Sequence, residues 1–131
     1  MGVTCGSGTS LRVVVADNDL DALDLVVLDL RLEGHDIVSA VRDGDEAVRL
    51  CHELRPDVLV SDIRMPPGPD GVAVARTLHG QPGLRVVLYT NYSDRRLRDK
   101  ARRLGATFLV KGQLAALRAA VAGEQTLSQD G

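Results

Sequence analysis

The sequence predicts an α/β fold in which five parallel strands form a doubly wound sheet of order 2-1-3-4-5, with helices on both faces. Short runs of Val, Ile and Leu alternate with segments of helical spacing five times along the 131 residues. The apolar runs are continuous, as in strands that are buried on both faces. Right-handed crossovers between parallel strands then favour the order 2-1-3-4-5.

The first three predicted elements are a strand, a helix that ends at a glycine, and a second strand. Leu11–Ala16 is a β-branched run that ends abruptly at Asp17, which predicts a buried strand. A helix follows, and Gly34 is a suitable stop for it. The apolar residues at helical spacing in this helix are Leu20, Leu23, Val27 and Leu30. Ile37–Val41 is the second predicted strand.

The middle of the chain predicts a second helix, a third strand and a third helix. We expect Asp43-Gly44 to form a turn before the second helix. That helix is marked by Ala47, Leu50, Cys51 and Leu54. Val58–Asp62 is the third predicted strand, and a Pro/Gly-rich loop, Met65–Pro69, separates it from a helix over Gly71–Leu78.

The last four elements follow the turn at Gln81-Pro-Gly. Arg85–Thr90 and Thr107–Lys111 are the fourth and fifth predicted strands. The fourth helix, which ends at Gly105, is marked by Leu97, Ala101 and Leu104. The fifth helix is marked by Leu114, Leu117 and Val121.

Composition indicates a soluble globular protein with one domain, 11–122, between a disordered head, 1–10, and a tail or linker start, 123–131. The net charge of −2 offers no global attraction to nucleic acid or to anionic membranes, and 2% aromatic residues give no stacking platform for single strands. There is no signal-peptide pattern and no apolar run of about 20 residues. Two cysteines form no disulfide framework. We therefore expect a cytoplasmic location.

Polar side chains follow or close four of the five predicted strands. Asp17-Asn18-Asp19 follow the first strand, Asp62 closes the third, Thr90 the fourth and Lys111 the fifth. Because these strand ends share one edge of the sheet, beside the point where strand order reverses, we expect one site there. Each residue has an ordinary alternative, such as Asp19 capping the first helix or Lys111 meeting solvent. Their joint placement favours the site.

The charges of this site indicate its chemistry. Carboxylates repel a bare phosphate but attract Mg²⁺, which takes one or two carboxylates and keeps several waters. The acidic loop therefore disfavours flavin or nucleotide binding. Asp62 can act as a nucleophile that forms an acyl phosphate, while Lys111 supplies a fixed positive charge and the Thr90 hydroxyl a hydrogen bond to the phosphate.

The chain resembles the response-regulator receiver family of two-component systems over roughly Leu11–Ala122. The matching segments, in order, are Val13–Asp19, Pro56–Pro66, Asp70-Gly71, Val86–Thr90 and Gly105–Lys111. The resemblance implies a flavodoxin-like receiver fold. It also implies a signalling switch rather than an enzyme, with at most Mg²⁺-dependent self-phosphorylation and autodephosphorylation.

The resemblance implies a role for each site residue. Asp62 would accept a phosphoryl group from a sensor histidine kinase. The residues that would hold Mg²⁺ are Asp17, Asn18, Asp62 and Arg64, the last through its main-chain carbonyl. Thr90 and Phe108 would form a switch pair in which the hydroxyl moves toward the phosphate and the ring turns inward, with Lys111 binding the phosphate. The alternative for Phe108 is a static core aromatic.

Four positions depart from the family pattern. Asn18 replaces the second acid of an acidic pair, which predicts weaker Mg²⁺ binding. Asn91 stands where a small residue is usual, the loop 65–70 is slightly long, and Gly112 replaces a frequent proline, which leaves the peptide geometry there open. Asn18 and Asn91 favour an alternative function, that of a binding module that recognises its partner without phosphorylation.

The fourth helix is rich in positive charge, which indicates either a solvated face or a partner surface. Its cations are Arg95, Arg96, Arg98, Lys100, Arg102 and Arg103, against Asp94 and Asp99. In receivers the face from the fourth to the fifth helix often carries dimer contacts, so a homodimer is one expectation. Residues 118–128 resemble the segment that leads to the LuxR-type DNA-binding domain of NarL-like regulators. We expect a receiver from such a regulator, cut from its output domain or lacking it, with no membrane contact and no direct DNA binding.

Overall fold

The computed structural model describes residues 10–91 and 94–124, in which strands and helices alternate. The strands are β1 (Arg12–Ala16), β2 (Asp36–Val41), β3 (Val58–Ser61), β4 (Arg85–Thr90) and β5 (Thr107–Val110). The helices are α1 (Leu20–Leu32), α2 (Gly44–Leu54), α3 (Gly71–Leu78), α4 (Arg95–Arg103) and α5 (Leu114–Ala122). The predicted head, 1–10, and tail, 123–131, lie almost entirely outside the described residues. No helix within the described ranges is long and apolar enough to cross a bilayer.

The strands form one parallel sheet of order β2-β1-β3-β4-β5, which confirms the predicted topology. β1 pairs with β2 on one side and with β3 on the other, so the direction of winding reverses at this point. Ala16, the last residue of β1, lies beside Ser61, the last residue of β3. The residues that follow, Asp17 and Asp62, therefore leave the sheet at the same edge.

Helices cover both faces of the sheet, and alternate residues of each strand contribute to opposite cores. The core under α1 and α5 includes Val13, Val15, Leu30 and Leu117. The core under α2 and α3 includes Val14, Ala16, Cys51 and Val74. Burial on both faces explains why the strand sequences are continuous apolar runs rather than alternating ones.

The cysteine of α2 is buried, as its place in the apolar pattern of the helix predicted. Cys51 is fully shielded from solvent in the core under α2 and α3. Burial raises the pKa of its thiol to about 12, so the thiol stays neutral at physiological pH.

The predicted bounds hold for α3 and β4, whereas the predicted turn at Asp43-Gly44 was wrong. Asp43-Gly44 is not a turn before the helix: Asp43 is the N-cap and Gly44 the first helical residue. The Asp43 carboxylate accepts a hydrogen bond from the main-chain N–H of Glu46 at 2.9 Å, and this capping interaction lets the helix begin at Gly44. Asp62 and Lys111, predicted as the last residues of their strands, each lie one residue beyond them.

Candidate functional site at the carboxyl edge of the sheet

Three charged side chains meet where β1, β3 and β5 end. Lys111 Nζ lies 2.8 Å from Asp17 Oδ2 and 3.1 Å from Asp62 Oδ2. The side chains are 11% exposed for Lys111, 4% for Asp17 and 12% for Asp62. Two largely buried carboxylates thus share one ammonium, so the site retains a net negative charge when all three groups are ionised.

Main-chain hydrogen bonds fix these three residues by continuing the sheet one residue past the strand ends. The main-chain N–H groups of these residues donate to main-chain carbonyls of neighbouring strands: Asp17 to Val41 (3.0 Å), Asp62 to Ala16 (2.9 Å) and Lys111 to Thr90 (2.8 Å). Each residue is thereby held by a neighbouring strand, although its side chain has left the sheet. The site is built on the rigid part of the fold rather than on the loops beyond it.

Hydrogen bonds from the main chain orient both carboxylates. Asp62 Oδ1 accepts from the N–H of Ile63 at 2.6 Å, which leaves Oδ2 facing Lys111. Asp17 Oδ1 accepts from the N–H of Asp19 at 2.8 Å. The side chain of Asp19 instead accepts from the N–H groups of Asp21 and Ala22, so the capping alternative for Asp19 is confirmed.

Burial and charge act in opposite directions on the ionised groups. Burial raises the pKa of Asp17 above its ordinary value, and hydrogen bonds from Lys111 and the Asp19 amide offset this only in part. Burial also disfavours the charged form of Lys111, but its hydrogen bonds to Asp17 and Asp62 outweigh that effect and raise its pKa. Lys111 therefore remains a fixed cation at physiological pH.

The predicted switch residues lie on one face of two adjacent strands. Thr90 ends β4 and is 2% exposed. Phe108 is half-buried in β5 and pairs in register with Leu88, two residues before Thr90. Because side chains two residues apart share a face, Thr90 and Phe108 are diagonal neighbours. The guanidinium carbon of Arg98, in α4, lies 5.7 Å from the centre of the Phe108 ring, within the range of a cation–π interaction.

The remaining predicted metal ligands lie at the rim. Asn18 and Arg64 are exposed, and the main-chain carbonyl of Asn18 accepts a hydrogen bond from Arg42 at 3.4 Å. Within the described residues no group of three His, Cys, Asp or Glu could hold a metal ion. Two carboxylates still fit Mg²⁺, which binds one or two carboxylates and retains several waters. The donor set therefore suits a weak Mg²⁺ site better than a preformed cage.

Residues 13–122 match the family described as the response regulator receiver domain. The chain belongs to this family. It is similar to the transcriptional regulatory protein PdtaR of Mycobacterium tuberculosis, with 37% identity over 102 residues, which is 76% of this chain and 49% of that protein. It is also similar to the DNA-binding response regulator MtrA of Mycobacterium leprae, with 35% identity over 83 residues, which is 63% of this chain and 36% of that protein.

Solved structures extend the similarity to the NarL/LuxR group. The signal receiver domain of the response regulator NarL from Mycobacterium tuberculosis is 31% identical, with a TM-score of 0.79 over 88% of this chain and 98% of that one. A LuxR-family response regulator from Aurantimonas is 28% identical, with a TM-score of 0.78 over 93% of this chain and 92% of that one. The receiver chain spans about half or less of the length of the curated relatives named above.

Several groups that support the receiver site were not predicted. The N–H of Gly112 donates to the Tyr89 hydroxyl at 2.9 Å, and the Ser61 hydroxyl donates to the carbonyl of Asp62 at 2.8 Å. The only sequence signal for Tyr89 was a polar aromatic beside Thr90 in an aromatic-poor chain. The signal for Ser61 was a hydroxyl inside an otherwise apolar strand.

The residue after Lys111 has a backbone that the usual proline could not adopt. The peptide bond between Lys111 and Gly112 is trans, which answers the question that the sequence left open. Gly112 has φ +98°, and proline is restricted to about −65°. Glycine therefore lets the chain turn directly after Lys111 while its N–H reaches Tyr89.

Proposed function

We propose that the receiver domain accepts a phosphoryl group on Asp62 from the phosphohistidine of a sensor kinase and acts as a signalling switch in the cytoplasm. The observation that carries this proposal is the pairing of Asp62 Oδ2 with Lys111 at 3.1 Å, beside the buried carboxylate of Asp17. The nucleophile is thus next to a fixed cation at an edge of the sheet where sites of this fold class form.

In the proposed transfer, Asp62 Oδ2 attacks the phosphorus atom of the phosphohistidine. A P–O bond to the carboxylate forms while the P–N bond breaks, and the imidazole nitrogen keeps the electron pair and takes up a proton. Oδ2 is the better placed oxygen because Oδ1 accepts the main-chain N–H of Ile63. Lys111 offsets negative charge on the phosphoryl oxygens, and the Thr90 hydroxyl donates to one of them.

The proposed cofactor is Mg²⁺. The residues that would hold it are Asp17, Asp62, the side-chain amide oxygen of Asn18 and the main-chain carbonyl of Arg64. Bound there, Mg²⁺ would neutralise charge on the incoming phosphoryl group. Because Lys111 already contacts both carboxylates, we expect the ion to compete with it, and the affinity to be low.

We place the output of the switch on the face from α4 to α5. Phe108 is in contact with Arg98 of α4, so a change of the ring would reach this helix. Arg95, Arg96 and Lys100 are exposed on α4, which suits an acidic partner surface. A homodimer formed through this face after phosphorylation belongs to the same proposal, with Asp94 and Asp99 of one copy facing cations of the other.

An amide NMR titration with Mg²⁺ and then with beryllofluoride, a phosphoryl mimic, tests the switch. We expect shifts at Asp17, Asp62 and Thr90 that spread to Phe108 and α4. Asp62→Asn is the control and should respond to neither addition in this way. No response of the unaltered chain at millimolar Mg²⁺ would contradict the proposal.

A second candidate function is a binding module that needs no phosphorylation. Two observations favour it: Lys111 already contacts both carboxylates, and Asn18 brings no charge to the site. Partner capture compared between the unaltered chain and Asp62→Asn separates the two functions. If the two chains capture the partner equally and beryllofluoride has no effect, the result supports the binding module. If capture requires both Asp62 and beryllofluoride, the result supports the switch.

A further inference from the structure

The exposed apolar surface of the described residues is concentrated on one helix. All four exposed large hydrophobic side chains lie on α1, namely Leu20, Leu25, Leu28 and Leu32, with exposed fractions of 51%, 51%, 56% and 74%. Single exposed leucines are ordinary on a monomer, but a contiguous group marks an interaction surface.

Three of these residues form a leucine stripe, defined here as Leu25, Leu28 and Leu32. Their spacings of three and four residues place them on one face of the helix, as in the seam of a coiled coil. The buried residues of α1, which face the sheet and α5, are Leu23, Val26, Asp29 and Leu30. The leucine stripe therefore points away from the body of the protein, and Leu20 lies off its line.

An ion pair holds the helix that carries the stripe. Arg118 of α5 contacts the buried carboxylate of Asp29 through two nitrogens, with Nη2 2.6 Å from Oδ1 and Nε 3.1 Å from each oxygen. Such a two-pronged contact fixes α1 against α5 more closely than a single contact would. The stripe is thus a rigid surface, which lowers the entropy cost of covering it.

The charges beside the stripe match those of a second copy. Asp24 and Arg31 are exposed and seven residues apart, so they lie on the same flank of the helix. Within the described chain neither of them makes an ion pair. When two α1 helices pair antiparallel about a two-fold axis, the same flank of each helix lies beside that of the other, and the two chains run in opposite directions. Asp24 of each copy then lies near Arg31 of the other.

We propose that two copies of this chain associate through the leucine stripe, with their α1 helices antiparallel. An anionic membrane is a poorer occupant because Asp21 and Asp24 lie beside the stripe. A single helix pair is smaller than a standard interface of about 800 Å² per partner, so the dimer is weak and forms at micromolar or higher concentration. This association uses a different face from α4–α5 and needs no phosphorylation.

Sedimentation velocity over a range of protein concentrations tests the stripe. The unaltered chain should form a dimer, and Leu28→Gln should weaken it by at least about tenfold, as for a central interface residue. Leu20→Gln, the same change on the same helix outside the stripe, should leave the affinity unchanged. A chain that is monomeric throughout overturns the proposal, as does equal weakening by both variants.

Charge exchange tests the antiparallel arrangement. Asp24→Arg alone and Arg31→Asp alone should each weaken the dimer, since each places like charges opposite each other at both ends. An equimolar mixture of the two variants should restore it, because every facing pair is then of opposite sign. Thermal unfolding by circular dichroism verifies that both variants are folded. If the mixture forms dimers no more tightly than either variant alone, the antiparallel arrangement is overturned. If the dimer forms only with beryllofluoride, the association belongs to the α4–α5 face instead.

Discussion

Two carboxylates, Asp17 and Asp62, share the single cation of Lys111 at the centre of the site. A third acid at position 18 would give this site more negative charge than Lys111 can offset, and so a stronger attraction for a divalent cation. Asn18 offers an amide oxygen without charge. We therefore expect the residue at position 18 to set the strength of Mg²⁺ binding.

Asn18→Asp should tighten Mg²⁺ binding by about tenfold to 100-fold, the range seen when groups around a metal site are changed. Isothermal titration or amide shifts against Mg²⁺ concentration measure the effect. Asn91→Asp adds the same charge at the same edge of the sheet and serves as the control, for which we expect a much smaller gain. Equal gains would mean that Asn18 acts through general charge and does not coordinate the ion.

The buried thiol of Cys51 gives the stability of the fold a specific pH dependence. An unfolded thiol ionises near pH 9.0, whereas burial raises the folded pKa to about 12. The folded state therefore holds its proton over this window, and stability is lost as pH rises through it, by up to about 1.4 kcal/mol per pH unit. Urea unfolding between about pH 8 and pH 11 should show this slope. The slope should be smaller in Cys51→Ala, and an unchanged slope would contradict the assignment.

At the scale of elements, α3 packs against the segment that follows β3, with no room for a side chain at its first residue, Gly71. A Cβ at Gly71 would clash with the main-chain carbonyl of Asp62 and lie 2.9 Å from the Cα of Ile63. The N–H of Gly71 also donates to the carbonyl of Ile63 at 2.7 Å. Glycine at this position lets the helix approach the segment that presents Asp62.

Gly71→Ala should lower the free energy of unfolding by about 1–3 kcal/mol, as for overpacking, although alanine is the better helix former. Gly68→Ala, in the loop just before α3, is the matched control, since its nearest neighbour is the Asp45 carboxylate at 3.5 Å, an ordinary contact. Urea midpoints of both variants measure the difference. Equal midpoints would show that the loop relaxes without cost.

The contact between Arg98 of α4 and Phe108 of β5 links the predicted switch residue to the face that we propose for the output. If the Phe108 ring turns inward on activation, it leaves the position in which Arg98 lies over it. Arg98→Gln should then favour the inward state and tighten beryllofluoride binding by about twofold to fivefold, from a cation–π interaction of 0.5–1 kcal/mol. Arg96→Gln, on the exposed side of α4, should have no such effect. Weaker binding by Arg98→Gln would mean that the contact supports the activated state.

Sequence reasoning placed the start of α3 correctly, because a Pro/Gly-rich loop comes shortly before it. The capping of this helix by Asp70, which accepts a hydrogen bond from the N–H of Ala73 at 2.8 Å, was not part of that prediction. Asp43 followed by Glu46 carried a similar capping signal, but the Asp-Gly pair was interpreted as a turn. In α1, leucines and valines occur on all sides, so the residues at helical spacing included the exposed Leu20 together with the buried Leu23.

The sequence predicted which residues lie together at the ends of the strands, but it did not predict the contacts between their side chains. Topology alone brings Asp17, Asp62 and Lys111 to one edge, because parallel strands end together. The bridge of Lys111 to both carboxylates and the contact of Arg98 with Phe108 depend on side-chain rotamers across separate elements. No local pattern specifies those rotamers.

On the scale of the whole molecule, the order of the strands determines which parts of the sheet open last. β1, β3 and β4 are central and mostly buried, whereas β2 and β5 are edge strands with half-buried residues. Because Asp62 and Lys111 are hydrogen bonded to the central strands β1 and β4, we expect the edge of the sheet that carries Asp62 to belong to the most stable unit of the fold. The edge strand β5, which precedes Lys111, should open earlier.

Native-state hydrogen exchange tests this order. Amides of β1 and β3 should exchange only through global unfolding, with free energies of opening equal to the stability from urea denaturation. Amides of β2 and β5 should exchange through smaller openings, and those of β5 should gain protection when beryllofluoride binds, because the bound state includes Lys111 at its end. Protection that is equal in all five strands would show that the sheet opens as one unit. Lys111 would then be held as rigidly as Asp62.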